Sequence, residues 1–203
     1  RIGQPADVIA LSLGSEFAAK AALERPDSFR SLTLISPSGF TQRENKGSSQ
    51  GANESGTSDF FYGLFKFPLW SQAFYDALTT RTGINYYLQM SFDGEVDAGL
   101  ANYDYLTAHQ PGARFAPLYF VSGKLFTRDI REAVYSQLTI PVQVLYDRDP
   151  FVKFDLLPEH LQQHENWRAM RIAPTKGLPH FEQLADVTRT LDEFWSMVAE
   201  HTV

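Results

Sequence analysis

Ser12, Asp149 and His180 are the residues whose chemistry would combine if the fold brought them together. A serine hydroxyl is a weak nucleophile at neutral pH, so it needs a base beside it. An imidazole serving as that base needs a carboxylate to hold its tautomer and orientation. Ser12 lies in Asp7-Val8-Ile9-Ala10-Leu11-Ser12-Leu13-Gly14-Ser15-Glu16-Phe17-Ala18-Ala19, which reads as a short apolar strand that turns at once into an alanine-rich helix. A side chain at such a break stands proud of the sheet, beside the free N–H groups that open the helix. The plainer alternative is a Ser-Gly turn of the kind that joins any buried strand to a helix, and this stretch alone does not choose between the two. Asp149 and its neighbour Asp147 follow the apolar run 140–146, and either one is a candidate acid; the greater distance of Asp149 from the strand favours it. His180 stands in a loop of turn formers, Pro174-Thr175-Lys176-Gly177-Leu178-Pro179-His180-Phe181-Glu182, between the last strand and the last helix. His109, His160, His164 and His201 fall on helical surface stretches or at the terminus and are expected to be solvated. No histidine pair has the spacing or neighbouring carboxylates of a metal site, and no cofactor is implied.

The elements that must position these groups alternate in type. The helix after Ser12 ends at Arg25-Pro26-Asp27, because proline disfavours helix in the residue before it. A second buried strand follows at 31–35, closed by Ser36-Pro37-Ser38-Gly39. Strand, helix and strand at this spacing make a βαβ unit, and hence a parallel sheet with a right-handed crossover. In such a sheet the loops that carry chemistry gather at the carboxyl ends of the strands.

From 41 to 58 the chain is polar and rich in Gly and Ser, as expected of a flexible surface loop. Residues 59–138 show no convincing strand but several helical stretches, at 70–78, 84–90, 96–108 and 128–138, and hold most of the aromatic residues. This block is expected to be a helical cap or lid, with Phe60, Phe61, Trp70, Phe74 and Phe115 lining an apolar pocket. Aromatic residues at helical spacing are more often an element's own core. A third strand at 140–146, a helix at 154–163 and a fourth, edge-like strand at 167–172 complete the alternation. A terminal amphipathic helix at 187–200 has Leu191, Phe194, Trp195 and Val198 on one stripe. The expected division is therefore a core of 1–40 and 139–203, a loop of 41–58 and an insertion of 59–138.

The bulk numbers fit that plan and exclude other functions. The chain's 203 residues suffice for one substantial core. A formal net charge of −6, with no cluster of Lys and Arg, argues against a protein that binds nucleic-acid backbone. The chain has no cysteine, hence no disulfide framework and no thiolate metal site. No apolar run approaches the roughly 20 residues of a membrane span. The expectation is a soluble, cytoplasmic protein, with targeting left open: residue 1 is Arg and the chain enters almost directly into a buried strand, which suggests that sequence precedes it.

Ala10-Leu11-Ser12-Leu13-Gly14 resembles the nucleophile elbow G-x-S-x-G of the α/β-hydrolase superfamily, with alanine for the first glycine. The chain order serine, acid, histidine is also that family's, and the run Pro141-Val142-Gln143-Val144-Leu145-Tyr146-Asp147-Arg148-Asp149-Pro150-Phe151-Val152 is similar to its strand followed by an acid-bearing loop. Tyr146-Asp147 stand where the family usually keeps a glycine, and Pro179 precedes the histidine where glycine is usual. The resemblance implies an α/β fold, namely the C-terminal half of an α/β-hydrolase parallel sheet of about four strands with a helical cap insertion. It also implies roles: Ser12 as nucleophile, His180 as base, Asp149 (or Asp147) as the acid, and the Leu13 N–H as one oxyanion donor. The second donor would come from a loop before the nucleophile strand, and the missing N-terminal strands are expected from a longer chain.

The function expected is serine hydrolysis of an ester or related acyl bond in an apolar small molecule. A serine at the elbow argues against the dehalogenase and epoxide-hydrolase branches, which use a carboxylate there. Two alternatives stand beside it: a catalytically degraded relative that binds a ligand or partner, and a C–C bond hydrolase or acyltransferase of the same superfamily.

Overall fold

The computed structural model describes residues 3–42, 72, 75–121 and 125–200. Four strands make one parallel sheet in the order β1-β2-β3-β4: β1 Ala6–Leu11, β2 Phe29–Ile35, β3 Val142–Arg148 and β4 Trp167–Lys176. Helix α1 (Leu13–Glu24) crosses from β1 to β2, ends at Arg25 before a 3-10 turn at Pro26–Ser28, and completes the expected βαβ unit. After β2 come α2 (Arg81–Met90), α3 (Ala98–Ala108), α4 (Phe115–Val121) and the short α5 (Ile130–Ala133). Beyond β3 lie α6 (Leu157–Gln163), α7 (Pro179–Glu182) and α8 (Leu184–Glu200).

The alternation of side chains along the strands assigns each face a helix. Leu32, Leu34, Val142 and Val144 point to one face, where they pack with Ala19 and Ala22 of α1 and with Phe40, Ile130, Tyr135, Leu157 and Trp167. Ile35, Leu145 and Ile172 point to the other, against Val187, Leu191 and Trp195 of α8. The expected stripe on the terminal helix is therefore core on the second face, with Leu191, Phe194 and Val198 buried. Helices on both faces of a parallel sheet are what buried, near-continuous apolar strands require.

The chain separates into two compact units, Arg1–Arg43 with Arg128–Val203, and Glu44–Thr127. Residues from 128 to 138, which composition groups with the aromatic insertion, belong with the sheet: Ile130, Val134, Tyr135 and Leu138 are all buried in the first core cluster. There the expected continuous helix is broken into α5 and a 3-10 turn at Tyr135–Gln137. In the second unit, Asp97 caps α3 through the Leu100 N–H (2.7 Å) and Thr80 caps α2 through the Gly83 N–H (3.2 Å). Most of the polar stretch 41–58 lies outside the described residues.

Two further expectations need correction. His160 is not solvated: it is buried at the start of the first core's ring cluster, 5.4 Å from the Phe40 ring and 4.5 Å from that of Trp167, because α6 turns this residue inward to cover the sheet. β4 is also longer than its apolar alternation suggests. It runs on through Pro174 to Lys176, bulging past the end of β3, as an edge strand can, since a missing N–H on its open side costs no ladder bond.

Candidate active site

Each of the three residues singled out in the sequence stands beyond the carboxyl end of a strand in this parallel sheet. Ser12 directly follows β1. It occupies the N-cap position of α1, where serine ordinarily turns its oxygen back onto the helix N–H groups. Here φ is 49° and ψ is −125°, and the side chain makes no capping bond. A serine in this sparsely allowed conformation costs of order 1–3 kcal/mol. The turn holds because its ends are tied: the Ser12 N–H donates to Ile35 O (2.8 Å), the Ser15 N–H to Ser12 O (2.9 Å), and the Ser15 hydroxyl to Ala10 O (3.2 Å). The outcome is an exposed hydroxyl at a strand-to-helix joint, next to Leu13, which opens α1 and so has no acceptor for its N–H one turn earlier.

Asp149 lies one residue past β3. Its Oδ1 accepts from the N–H groups of Phe151 (2.7 Å) and Val152 (3.0 Å), which folds the loop around the carboxylate. Its Oδ2 faces the loop that carries His180: a Cβ built on Gly177 would lie 3.0 Å from that oxygen, and Gly177 has φ +103°. Only glycine satisfies both the backbone and the approach.

His180 lies in the first turn of α7 rather than in an open loop. Pro179, the residue that departs from the family's usual glycine, sits at the first helical position, where its fixed φ suits the helix and no N–H is needed. Glu182 Oε2 accepts from the Lys176 N–H (2.9 Å), tying α7 back to the end of β4. The imidazole is half-buried beside the Phe181 ring, and burial lowers its pKa, which keeps the ring neutral and able to accept a proton. Its Nδ1 is buried with no hydrogen-bond partner. The acid and the histidine loop are thus in contact at Gly177, while the Asp149–His180 and His180–Ser12 hydrogen bonds are not formed.

Asp147, the other candidate acid, is committed elsewhere. It lies within β3, and its buried carboxylate accepts from Arg171 Nε at Oδ1 (2.7 Å) and from the Thr175 N–H at Oδ2 (2.8 Å). Burial alone would raise its pKa, but the Thr175 N–H, Arg171 and the Arg148 N–H outweigh burial and hold it below the usual carboxylate range. Asp147 fastens the bulged end of β4, and both of its oxygens are used in doing so.

Of the pocket residues expected from composition, Phe60, Phe61, Trp70 and Phe74 lie outside the described residues. Phe115 opens α4 and is exposed, with the Arg114 guanidinium 5.0 Å from its ring centroid. Sequence reasoning passed over Ser36, which closes β2 beside Ser12. Its signal was present in Ser36-Pro37-Ser38-Gly39, but it reads as an ordinary turn until the strand register is known.

No protein-family model matches the chain and no curated protein sequence is similar to it. Solved structures are similar in shape. A serine hydrolase involved in carbazole degradation superposes with a TM-score of 0.63 at 14% identity, over 97% of this chain and 66% of its own. An esterase from Exiguobacterium antarcticum gives 0.62 at 13% identity, over 92% and 65%. A meta-cleavage product hydrolase from Pseudomonas fluorescens IP01 gives 0.61 at 14% identity, over 96% and 65%. The chain has the α/β-hydrolase fold. It spans just under two thirds of the length of these structures.

Proposed function

We propose that this chain carries the nucleophile, acid and base of a serine hydrolase that cleaves an ester or related acyl bond through an acyl-enzyme. The observation that supports this reading most is the backbone of Ser12, strained at φ 49° and ψ −125°, with a hydroxyl that is exposed and spared from helix capping. In this reading Ser12 Oγ attacks the acyl carbon and passes its proton to His180 Nε2. The Asp149 carboxylate turns from the Gly177 side to accept the Nδ1 proton, for which no other acceptor competes. The Leu13 N–H stabilises the oxyanion. His180 then protonates the leaving group, and a water deprotonated by His180 releases the acid. The part of the aromatic insertion that lies outside the sheet unit, 59–127, is assigned the role of a cap.

The test is covalent labelling by a fluorophosphonate, alongside turnover of a panel of aryl and alkyl esters. Wild type is expected to label and Ser12→Ala to lose both labelling and turnover; an unlabelled wild type counts against the proposal. The unpartnered Nδ1 of His180 favours a second reading, in which the site binds an apolar ligand without turning it over. Ligand binding unchanged by Ser12→Ala, with no labelling of wild type, is the result that reading expects.

A further inference from the structure

Among the described residues only three non-glycine residues have positive φ, and two of them, Ser12 and Ser36, follow adjacent strands. The β1–β2 ladder pairs Ala10 with Leu34 and Leu11 with Ile35, so its next rung brings Ser12 opposite Ser36. The backbone bonds continue the row: the Ser12 N–H donates to Ile35 O (2.8 Å) and the Ser36 N–H to Leu145 O (3.0 Å). Neighbouring strands lie about 4.8 Å apart, so the two residues of such a rung are close neighbours.

Ser36 is costly as it stands. Its φ of 45° is a conformation that disfavours any residue with a Cβ, and its hydroxyl is buried with no hydrogen-bond partner. Glycine would relieve the first cost and alanine the second. A residue that carries both, on the rung of the candidate nucleophile, has a reason to keep its hydroxyl. The turn that holds it is firmly built. Ser38 Oγ donates to the buried Glu16 carboxylate of α1, and Gly39, at φ +98°, packs so tightly that a Cβ there would lie 2.5 Å from Ile130 Cγ2.

We infer that Ser36 is a positioning residue for the nucleophile: its hydroxyl donates a hydrogen bond to Ser12 Oγ, which orients that oxygen toward the base and steadies it as charge develops. When Ser12 Oγ attacks, its own proton passes to His180 Nε2 while Ser36 keeps its proton and donates it into the oxygen. The inference rests on the reading of Ser12 as nucleophile.

Ser36→Ala and Ser36→Gly separate the hydroxyl from the strained backbone, because both remove the hydroxyl and only glycine relaxes φ. Fluorophosphonate labelling of the whole chain is expected to slow about tenfold in both variants, roughly the worth of one such hydrogen bond. For an aryl ester, kcat is expected to fall with KM unchanged, and the melting temperature to stay level or rise, since a buried unpaired hydroxyl has gone. A wild-type labelling rate in either variant overturns the inference, as does a slowing that appears only together with a lowered melting temperature. A wild type that does not label, or a Ser12→Ala variant that still does, overturns the nucleophile assignment itself and this inference with it.

Discussion

Two aspartates two positions apart divide their work according to what surrounds each carboxylate. Asp147 accepts from a guanidinium and a backbone N–H inside the β3–β4 edge, one on each oxygen, so an amide there leaves a single acceptor for the two donors and turns an NH2 toward the other. Asp147→Asn is expected to lose about 2 kcal/mol of stability, read from urea denaturation. Asp149→Asn keeps the amide oxygen that the Phe151 and Val152 N–H groups need, so its stability is expected to be unchanged. Its labelling rate is expected to fall on the order of a hundredfold or more, because an amide holds the imidazole in the wrong tautomer. The opposite pattern, with Asp147→Asn stable and slow, would move the acid to Asp147. The places of Ser12, Asp149 and His180 after the carboxyl ends of strands were legible in the sequence, because a strand-helix joint, a post-strand aspartate and a late histidine need only local patterns. The choice between the aspartates rests on partners 24 to 28 residues away, Arg171 and Thr175, which no local pattern reveals. Ser36 reads from sequence only as part of a turn for the same reason: its place depends on which rung of the ladder it shares.

At the level of elements, the strands were read well where apolar runs are short and bounded, and less well where tertiary packing extends or bends an element. β4 continues for four residues beyond its apolar alternation because Asp147 supplies a partner for the bulged segment. Helix α6 reads as a surface helix, yet His160 faces the core, its ring tilted at 46° to that of His164 with centroids 4.3 Å apart and edge-on to Trp167. A polar residue type gave no hint of this orientation. Burial lowers the His160 pKa from 6.5 to about 4, with His164 and Arg131 adding to the effect and Glu132 opposing it. Because the folded value lies below the unfolded one, the neutral ring contributes stability that is fully present above pH 6.5 and is lost as pH falls through 4. The loss is expected to reach about 3 kcal/mol across that window. Urea denaturation at several pH values checks it, and His160→Phe should remove this acid sensitivity while keeping the ring packed. Equal pH dependence in the two proteins would sink the idea.

At the level of the molecule, the sheet has one open side that matters. Among the described residues β1 pairs only with β2, and Ile9 and Leu11 on it are 45% and 37% exposed. An apolar parallel strand with a bare edge invites pairing with another chain. The isolated 203-residue chain is therefore expected to self-associate with rising concentration, and Ile9→Lys to shift it toward smaller species in sedimentation velocity. A wild-type chain that stays monomeric at high concentration would mean that this edge is satisfied.

The way the chain leaves the sheet after β2 also has a consequence for how such a protein can change. Thr41 Oγ1 accepts from the Lys153 N–H (3.0 Å) and donates to Lys153 O (3.3 Å), while the Leu156 N–H donates to Phe40 O (2.9 Å). These stitches anchor the exit point to the segment just ahead of α6, and no residue from 44 to 127 belongs to the unit that holds Ser12, Ser36, Asp149 and His180. Length and sequence can drift in that intervening stretch without pulling on the unit that carries the proposed nucleophile, acid and base. On the proposed reading, selectivity and chemistry could then change separately: the inserted unit could be remodelled while the spacing of Ser12, Asp149 and His180 stays set by the sheet.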